Sequence, residues 1–257
     1  MHNNPTVPLI GAIEIPQMGF GTWNLGAEAK APVAHALQTG YRHLDTADIY
    51  GTHGGIAAAI PLSGVPRAEI FITTKLWSHS VSAKRVGPAV DRFLSELKTD
   101  FIDLLLIHWP SNTRIGETLG AMGQARQAGK VRTLGVSNFG VELMQASLDT
   151  GVRVVNDQIE YNLNRRPDDV VAFCFGNKVT VTAYSPLERG SAAQERLLAE
   201  LAKKYSATRE EVLLSWLLQK GMIVIPRSSK LKHIETNFHT LAWSLEKEDA
   251  QKIDAQQ

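Results

Sequence analysis

The chain has 257 residues, a formal net charge of +1, and 44% hydrophobic against 21% charged residues, a make-up suited to a globular protein holding one α/β barrel or two small domains. So even a charge balance gives no reason to expect nucleic acid or an anionic membrane as a partner. No apolar run approaches transmembrane length, "MHNNPTVPLIG" lacks the basic-then-apolar order of a secretory signal, and the lone Cys174 has nothing to pair with, so a soluble cytoplasmic protein is expected.

In chain order, eight short apolar runs read as strands: 17–23, 41–47, 70–77, 101–109, 131–139, 154–162, 179–186 and 222–228. The fourth, "FIDLLLIHW", sets Leu104, Leu105, Leu106 and Ile107 side by side, apolar enough for burial on both faces, as in a parallel sheet. Pro110 cannot continue the ladder, so this strand ends near His108. Helical patterns fill the gaps at 29–38, 82–97, 119–127, 141–149, 167–175, 208–219 and 231–241. Within 82–97, Val86, Val90, Phe93, Leu94 and Leu97 recur at the spacing of one helical face. Regular strand–helix alternation without a polar linker predicts parallel strands with helical crossovers, hence a single (β/α)8 TIM barrel over residues 1–257. An open dinucleotide-binding sheet would need G-x-G-x-x-G after its first strand. "GFGTWNLG" supplies only Gly19 and Gly21 in register, which read as close backbone packing.

In such a barrel the C-terminal strand ends converge on one rim, where active sites form. Asp45 ends the second strand, with Tyr50 just beyond it; Lys75 ends the third and His108 the fourth. Ser137 and Asn138 end the fifth, Gln158 the sixth, Tyr184 the seventh, and Arg227 with Ser228 the eighth. Any one of these could be a strand end turning polar at the surface. An acid, a phenol, a lysine and a histidine on neighbouring strands call for more. A phenol titrates near ~10 and is a weak acid at neutral pH unless its anion is stabilised. An ammonium at Lys75, kept charged by Asp45, would do that. The phenol could then protonate a carbonyl oxygen gaining charge, with neutral His108 donating a second hydrogen bond. Ser137, Asn138 and Gln158 can grip a carboxamide and Tyr184 offers a stacking face, which suits nicotinamide as hydride source.

"GYRHLDTADIYG", "ITTKLW", "LLLIHWP", "GVSNF", "DQIEYN", "AYSPL" and "IPRSS" resemble, in order and spacing, the motifs of the aldo-keto reductases. Among these the chain is most similar to the small bacterial diketogluconate reductases of the B type, which also reduce methylglyoxal. The resemblance implies a (β/α)8 barrel and a catalytic tetrad of Asp45, Tyr50, Lys75 and His108. It implies nicotinamide contacts from Ser137, Asn138, Gln158 and Tyr184, with Thr22, Trp23 and Asp45 also against the cofactor. Ser185 and Leu187 would follow the pyrophosphate. Pro226, Arg227, Ser228, Ser229, Lys232, His233 and Asn237 would surround the adenosine end. Substrate would meet Trp23, Tyr50, Trp77, His108 and Trp109.

The chain departs from the family pattern at several points. Thr52-His53 replaces the usual Asn-Glu, which puts the start of the next helix and one pocket wall in question. Asp157 stands where Asn commonly precedes the glutamine, and His233 and Thr236 replace an arginine and a glutamate. The ending "KIDAQQ" leaves almost none of the loop that covers substrate in many relatives, so an open, apolar, tolerant pocket is expected.

Other residues have plainer readings. Trp216, Trp243 and Cys174 are expected in packing, His43 likewise, and His2, His35, His79 and His239 on the surface; "EKEDAQK" reads as a solvated helix face. Three rival functions compete with a reductase. A metal-dependent hydrolase using His43, Asp45 and His108 leaves Lys75 and Tyr50 unexplained, and no metal is expected. A Schiff-base aldolase needs Lys75 uncharged, against the pull of Asp45. A non-catalytic nicotinamide-binding regulator would need no complete tetrad. "PRSSKLKH" gathers Arg227, Lys230, Lys232 and His233 with two hydroxyls, a clamp for the extra phosphate of NADPH at a helix start. NADPH is therefore expected over NADH, with NADH still accepted because His233 replaces arginine. A small carbonyl compound is the expected partner and a monomer the default assembly.

Overall fold

The computed structural model describes residues 4–111 and 114–256. The strands are β1 (Thr6–Ile10), β2 (Ile13–Pro16), β3 (Phe20–Gly21), β4 (His43–Asp45), β5 (Phe71–Leu76), β6 (Ile102–Ile107), β7 (Val131–Ser137), β8 (Val154–Glu160), β9 (Thr180–Tyr184) and β10 (Ile223–Val224). From β3 to β10 they form an eight-stranded sheet in chain order, each pair parallel. The sheet closes on itself. Met18 bridges Val224 in parallel, the Gly19 amide donates to the Val224 carbonyl at 2.8 Å, and the Val224 amide donates to the Gln17 carbonyl at 2.9 Å. Close packing explains the two glycines of the first strand: a Cβ on Gly19 would lie 2.4 Å from the His43 ring on neighbouring β4, and one on Gly21 2.7 Å from the Ile225 carbonyl across the seam. All eight expected strands are present.

Around the barrel run α1 (Lys30–Thr39), α2 (His53–Ser63), α3 (Ala83–Leu97), α4 (Ile115–Gln127), α5 (Val141–Asp149), α6 (Asp168–Gly176), α7 (Ala192–Tyr205), α8 (Arg209–Gln219), α9 (Leu231–His239) and α10 (Lys247–Asp254). The stripe foreseen on α3 faces the sheet: Val86, Val90, Phe93 and Leu97 are buried and Leu94 is half-buried. None of the described helices is long and apolar enough to cross a membrane.

Three elements carry weaker signals in the sequence. The β1–β2 hairpin turns at Gly11, whose φ is +58°, and packs Leu9 and Ile15 against Phe71, Leu104, Leu106, Val155 and Ile223, stoppering the barrel floor. Helix α2 forms although it contains Gly54, Gly55 and Pro61, because Gly55 lets it seat against Ala29. Helix α7 starts with a capping box between Ser191 and Gln194. One expectation is corrected within "EKEDAQK". Asp249 is buried because Lys204 and Tyr205 each donate to it at 2.6 Å and Lys252 at 2.7 Å.

Residues read as packing do pack. Trp216 and Cys174 are buried, Trp243 stacks on Tyr205 at 5.2 Å, and buried His43 has Nε2 3.0 Å from the Thr73 hydroxyl. His79 and His239 are exposed, while His35 is half-buried with Nε2 2.9 Å from Glu235. His2 lies outside the described residues.

Candidate active site

The strand ends of one rim surround a cleft of about 820 Å³. Asp45, Tyr50 and His108 line it, with Trp23, Trp77 and Trp109 on its walls. Ser137, Asn138, Gln158 and Tyr184 line it too, and Ser185, Leu187, Pro226 and Arg227 continue it outward. Lys75 is fully buried. A groove of about 1000 Å³ at the opposite end runs beside the hairpin. Four of its charged residues are paired, Arg42 3.7 Å from Glu69 and Arg132 2.8 Å from Asp103.

Lys75 Nζ donates to Asp45 Oδ1 at 2.5 Å and to the Thr46 carbonyl at 2.8 Å. It lies 5.0 Å from the centre of the Tyr50 ring. The other Asp45 oxygen accepts from Gln158 Nε2 at 2.8 Å. Burial alone would lower the lysine's pKa, but Asp45, and then Tyr50, reverse this and hold it above the ordinary value. The same burial raises the Tyr50 phenol above its usual value, with the Lys75 charge pulling it back. His108 is pushed down to about 3 by burial first and the Lys75 charge second, so it is a neutral imidazole at neutral pH. Its Nε2 lies 3.5 Å from the Tyr50 oxygen and its ring meets the Trp77 ring edge-on.

On the far side a polar cluster is fixed in place. Ser137 Oγ donates to the Gln158 carbonyl at 2.7 Å, and Asn138 Nδ2 donates to Ser137 Oγ at 3.0 Å and to the His108 carbonyl at 3.1 Å. The Tyr184 hydroxyl donates to Asn138 Oδ1 at 2.8 Å. Asn138 and Ser185 adopt left-handed backbone, φ +64° and +49°, uncommon outside glycine and frequent at functional sites.

Several expected cofactor residues stand behind or beyond the cleft lining. Thr22 is fully buried; its hydroxyl donates to the Asp45 carbonyl at 2.9 Å and lies 3.0 Å from that of Thr52. Ser228 is buried and Asn237 on α9 likewise, and the Ser228 hydroxyl accepts from the Lys230 amide at 3.0 Å. Ser229, Lys232 and His233 are exposed around the start of α9. Arg227 is exposed and its Nε donates to the Trp23 carbonyl at 3.1 Å, joining the first and last rim loops.

Asn24, Gly26, Ile49, Glu188 and Ile225 also line the cleft without having been expected there. Ile49 had a signal, an apolar residue beside Tyr50 on a rim loop, and it is 52% exposed. At the Thr52-His53 departure, α2 does begin at His53, and His53 is buried away from the cleft lining. Asp157 is fully buried and burial pushes its carboxyl well above the usual range. A metal centre on His43, Asp45 and His108 finds no support: the His43 ring is bonded to Thr73, and both Asp45 oxygens are taken by Lys75 and Gln158.

The fold and this rim define a barrel oxidoreductase. The Aldo/keto reductase family model matches residues 17–257, and the chain belongs to that family. It is 34% identical to the glyoxal reductase of Bacillus subtilis (strain 168), over 97% of this chain and 92% of that protein. It is 35% identical to the methylglyoxal reductase DkgB of Escherichia coli O157:H7, over 94% and 92%. The solved structure of a Bombyx mori aldo-keto reductase in complex with NADP superposes with a TM-score of 0.90 at 32% identity, covering 97% of this chain and 92% of that one.

Proposed function

We propose that the chain reduces small aldehydes, dicarbonyls or keto sugars to alcohols with NADPH, Tyr50 delivering the proton. The observation that carries this reading is the Tyr50 hydroxyl standing 3.5 Å from a neutral His108 and beside a buried, Asp45-paired Lys75. The phenol and the imidazole form a pair of donors for one carbonyl oxygen. As negative charge builds there, Tyr50 releases its proton and Lys75 stabilises the phenolate left behind. His108 Nδ1 is buried and lacks a partner among the described residues, which favours placing the ring proton on Nε2, beside the Tyr50 oxygen. Asp45 keeps Lys75 charged, and Gln158 ties Asp45 to the cofactor side of the cleft.

The cleft suits a nicotinamide: amides and a hydroxyl from Ser137, Asn138 and Gln158, and the Tyr184 ring, converge where a flat carboxamide-bearing ring would lie. When bound, reduced nicotinamide supplies the hydride. Arg227 and, further out, the exposed Lys232 and His233 offer charge to the phosphate that distinguishes NADPH from NADH. The three tryptophans and Ile49 make the substrate side apolar and accommodating. The relatives named for glyoxal and methylglyoxal favour small dicarbonyls, and a cytoplasmic monomer is the simplest setting.

The test is consumption of NADPH by the purified chain with methylglyoxal, glyoxal, a keto sugar and a bulky steroid ketone, repeated with NADH. Turnover of the small carbonyls, slower with NADH, is expected. Tight NADPH binding without turnover of any carbonyl would instead favour a regulatory barrel. Strict selectivity for the bulky ketone would contradict the open pocket.

A further inference from the structure

Tyr50 closes a short helical turn, Asp48–Tyr50, and is followed by Gly51, whose φ of +65° marks a pliant point beside the phenol. The loop is nevertheless gripped on both sides of the tyrosine. Before it, the Asp48 side chain is only 4% exposed and accepts from Arg92 Nη2 at 2.9 Å. Its second oxygen accepts from the Ser80 hydroxyl at 3.2 Å and lies 3.1 Å from His79 Nε2. After it, buried His53 places Nδ1 2.7 Å from Glu96 and Nε2 2.9 Å from the Thr74 hydroxyl. Arg92 and Glu96 lie one turn apart on α3 and bond each other at 3.3 Å. Thr74 directly precedes Lys75 on β5.

We propose that Asp48, His53, Arg92 and Glu96 form a clamp through which α3 holds the Tyr50 loop at both ends, in register with the strand carrying Lys75. None of the four lines the cleft, so they are positioning residues and touch no reacting group. An exposed Arg–Glu pair by itself contributes little. What it anchors here is a buried carboxylate and a buried imidazole, groups that hold one geometry because leaving it would strand them without partners. The inference rests on Tyr50 being the proton donor, since that is what gives the position of the loop a catalytic consequence.

The experiment compares the full chain with Arg92→Met/Glu96→Met, with the conservative pair Arg92→Lys and Glu96→Gln, and with Tyr50→Phe. It reads kcat and KM for methylglyoxal, NADPH binding by fluorescence titration, thermal midpoint, and amide hydrogen exchange. The double variant is expected to lose about 10- to 100-fold in kcat, the scale of a small misplacement of a reacting group, with NADPH binding unchanged. Exchange should quicken at residues 46–53 and stay slow in the other barrel strands. Glu96→Gln, which keeps an acceptor for His53, and Arg92→Lys should recover most of the rate. Unaltered kcat in the double variant, or a loss that disappears on cooling below its thermal midpoint, would reduce the clamp to a stability element and overturn the proposal. If the double variant does not fold, Asp48→Asn replaces it, and wild-type kcat in folded Asp48→Asn overturns the proposal equally. Wild-type turnover in Tyr50→Phe would refute the proton-donor reading and with it this inference, and is recognised because it requires no change in exchange at 46–53.

Discussion

Asp45 at the end of β4 and Asp157 on β8 are both buried acids in the wall of one barrel, and they are housed in opposite ways. Asp45 has Lys75 at 2.5 Å and Gln158 at 2.8 Å on its two oxygens. Neither oxygen of Asp157 has a hydrogen-bond partner of ordinary geometry among the described residues, and the Phe139 backbone offsets its burial only in part. Moving a carboxylate out of water costs several kcal/mol unless it is paired. The first acid is therefore matched to a counterion, which it holds charged, whereas burial drives the second toward its protonated form. Strand alternation separates the two settings within a single peptide step: Gln158 lines the cleft, whereas Asp157 lies close enough to Cys174 on α6 to help, after burial, push that thiol up to about 12. Of the two acids, only the one on the cleft rim is supplied with a counterion.

Removing that counterion should do the most damage. Lys75→Met leaves Asp45 buried without a counterion, with only the Gln158 amide on it, so turnover should nearly vanish and stability should fall by about 3–5 kcal/mol, the cost of halving a buried pair. Asp45→Asn should be impaired yet measurable. Kinetics and urea unfolding of both single variants and the double should show strong non-additivity; full additivity would contradict a coupled pair. A smaller effect is expected from Arg227, exposed and held by the Trp23 carbonyl. Losing a hydrogen bond to a charged phosphate removes about 1.5–3 kcal/mol, so Arg227→Ala should raise KM for NADPH far more than for NADH. Equal effects on both would show that Arg227 does not read the phosphate.

Asp157→Asn should leave kcat nearly untouched and change only how stability depends on pH. The folded-state pKa of Asp157 is raised, so its contribution is full below the unfolded value of ~3.9 and is lost as pH rises toward the folded one. In that window the wild type should lose up to about 1.4 kcal/mol per pH unit from this group. The Asn variant should lack this component of the slope, and identical slopes in pH-dependent unfolding would refute the raised Asp157 carboxyl. Least visible is an effect of absence. With His108 pushed down to about 3, kcat should show no imidazole limb near ~6.5, the ordinary histidine value, and a limb there that vanishes in His108→Gln would show the ring to be charged at lower pH.

The barrel was legible because its signals are local. Leu104 to Ile107 and the stripe Val86, Val90, Phe93 and Leu97 declare strand and helix through composition and spacing. Asp45, Tyr50, Lys75 and His108 could be expected on one rim because each lies near or just past the C-terminal end of a strand, and the rim gathers strand ends. Helix α2 was obscured by Gly54, Gly55 and Pro61, whose tolerance depends on the seat against Ala29, a tertiary fact. The α7 partners of Asp249 and the α3 partners of Asp48 and His53 lie 43 to 45 positions away in the chain, beyond the reach of any local pattern. Among the outer cofactor residues, Arg227, Ser228, Ser229, Lys232 and His233 had a local signal in the basic cluster "PRSSKLKH", whereas Thr22, Pro226 and Asn237 were placed by resemblance alone. Thr22, Ser228 and Asn237 are buried and are not among the residues that line the cleft.

Tyr50, set between Lys75 and His108, is the proposed proton donor. The most direct test of this role is a single-turnover measurement of NADPH oxidation with methylglyoxal in Tyr50→Phe, alongside a titration of NADPH binding. One hydroxyl is removed and the cofactor contacts stay. The rate should fall by at least about 100-fold, in line with the loss of a general acid, while NADPH binds as before. A near wild-type rate in the variant would contradict the account.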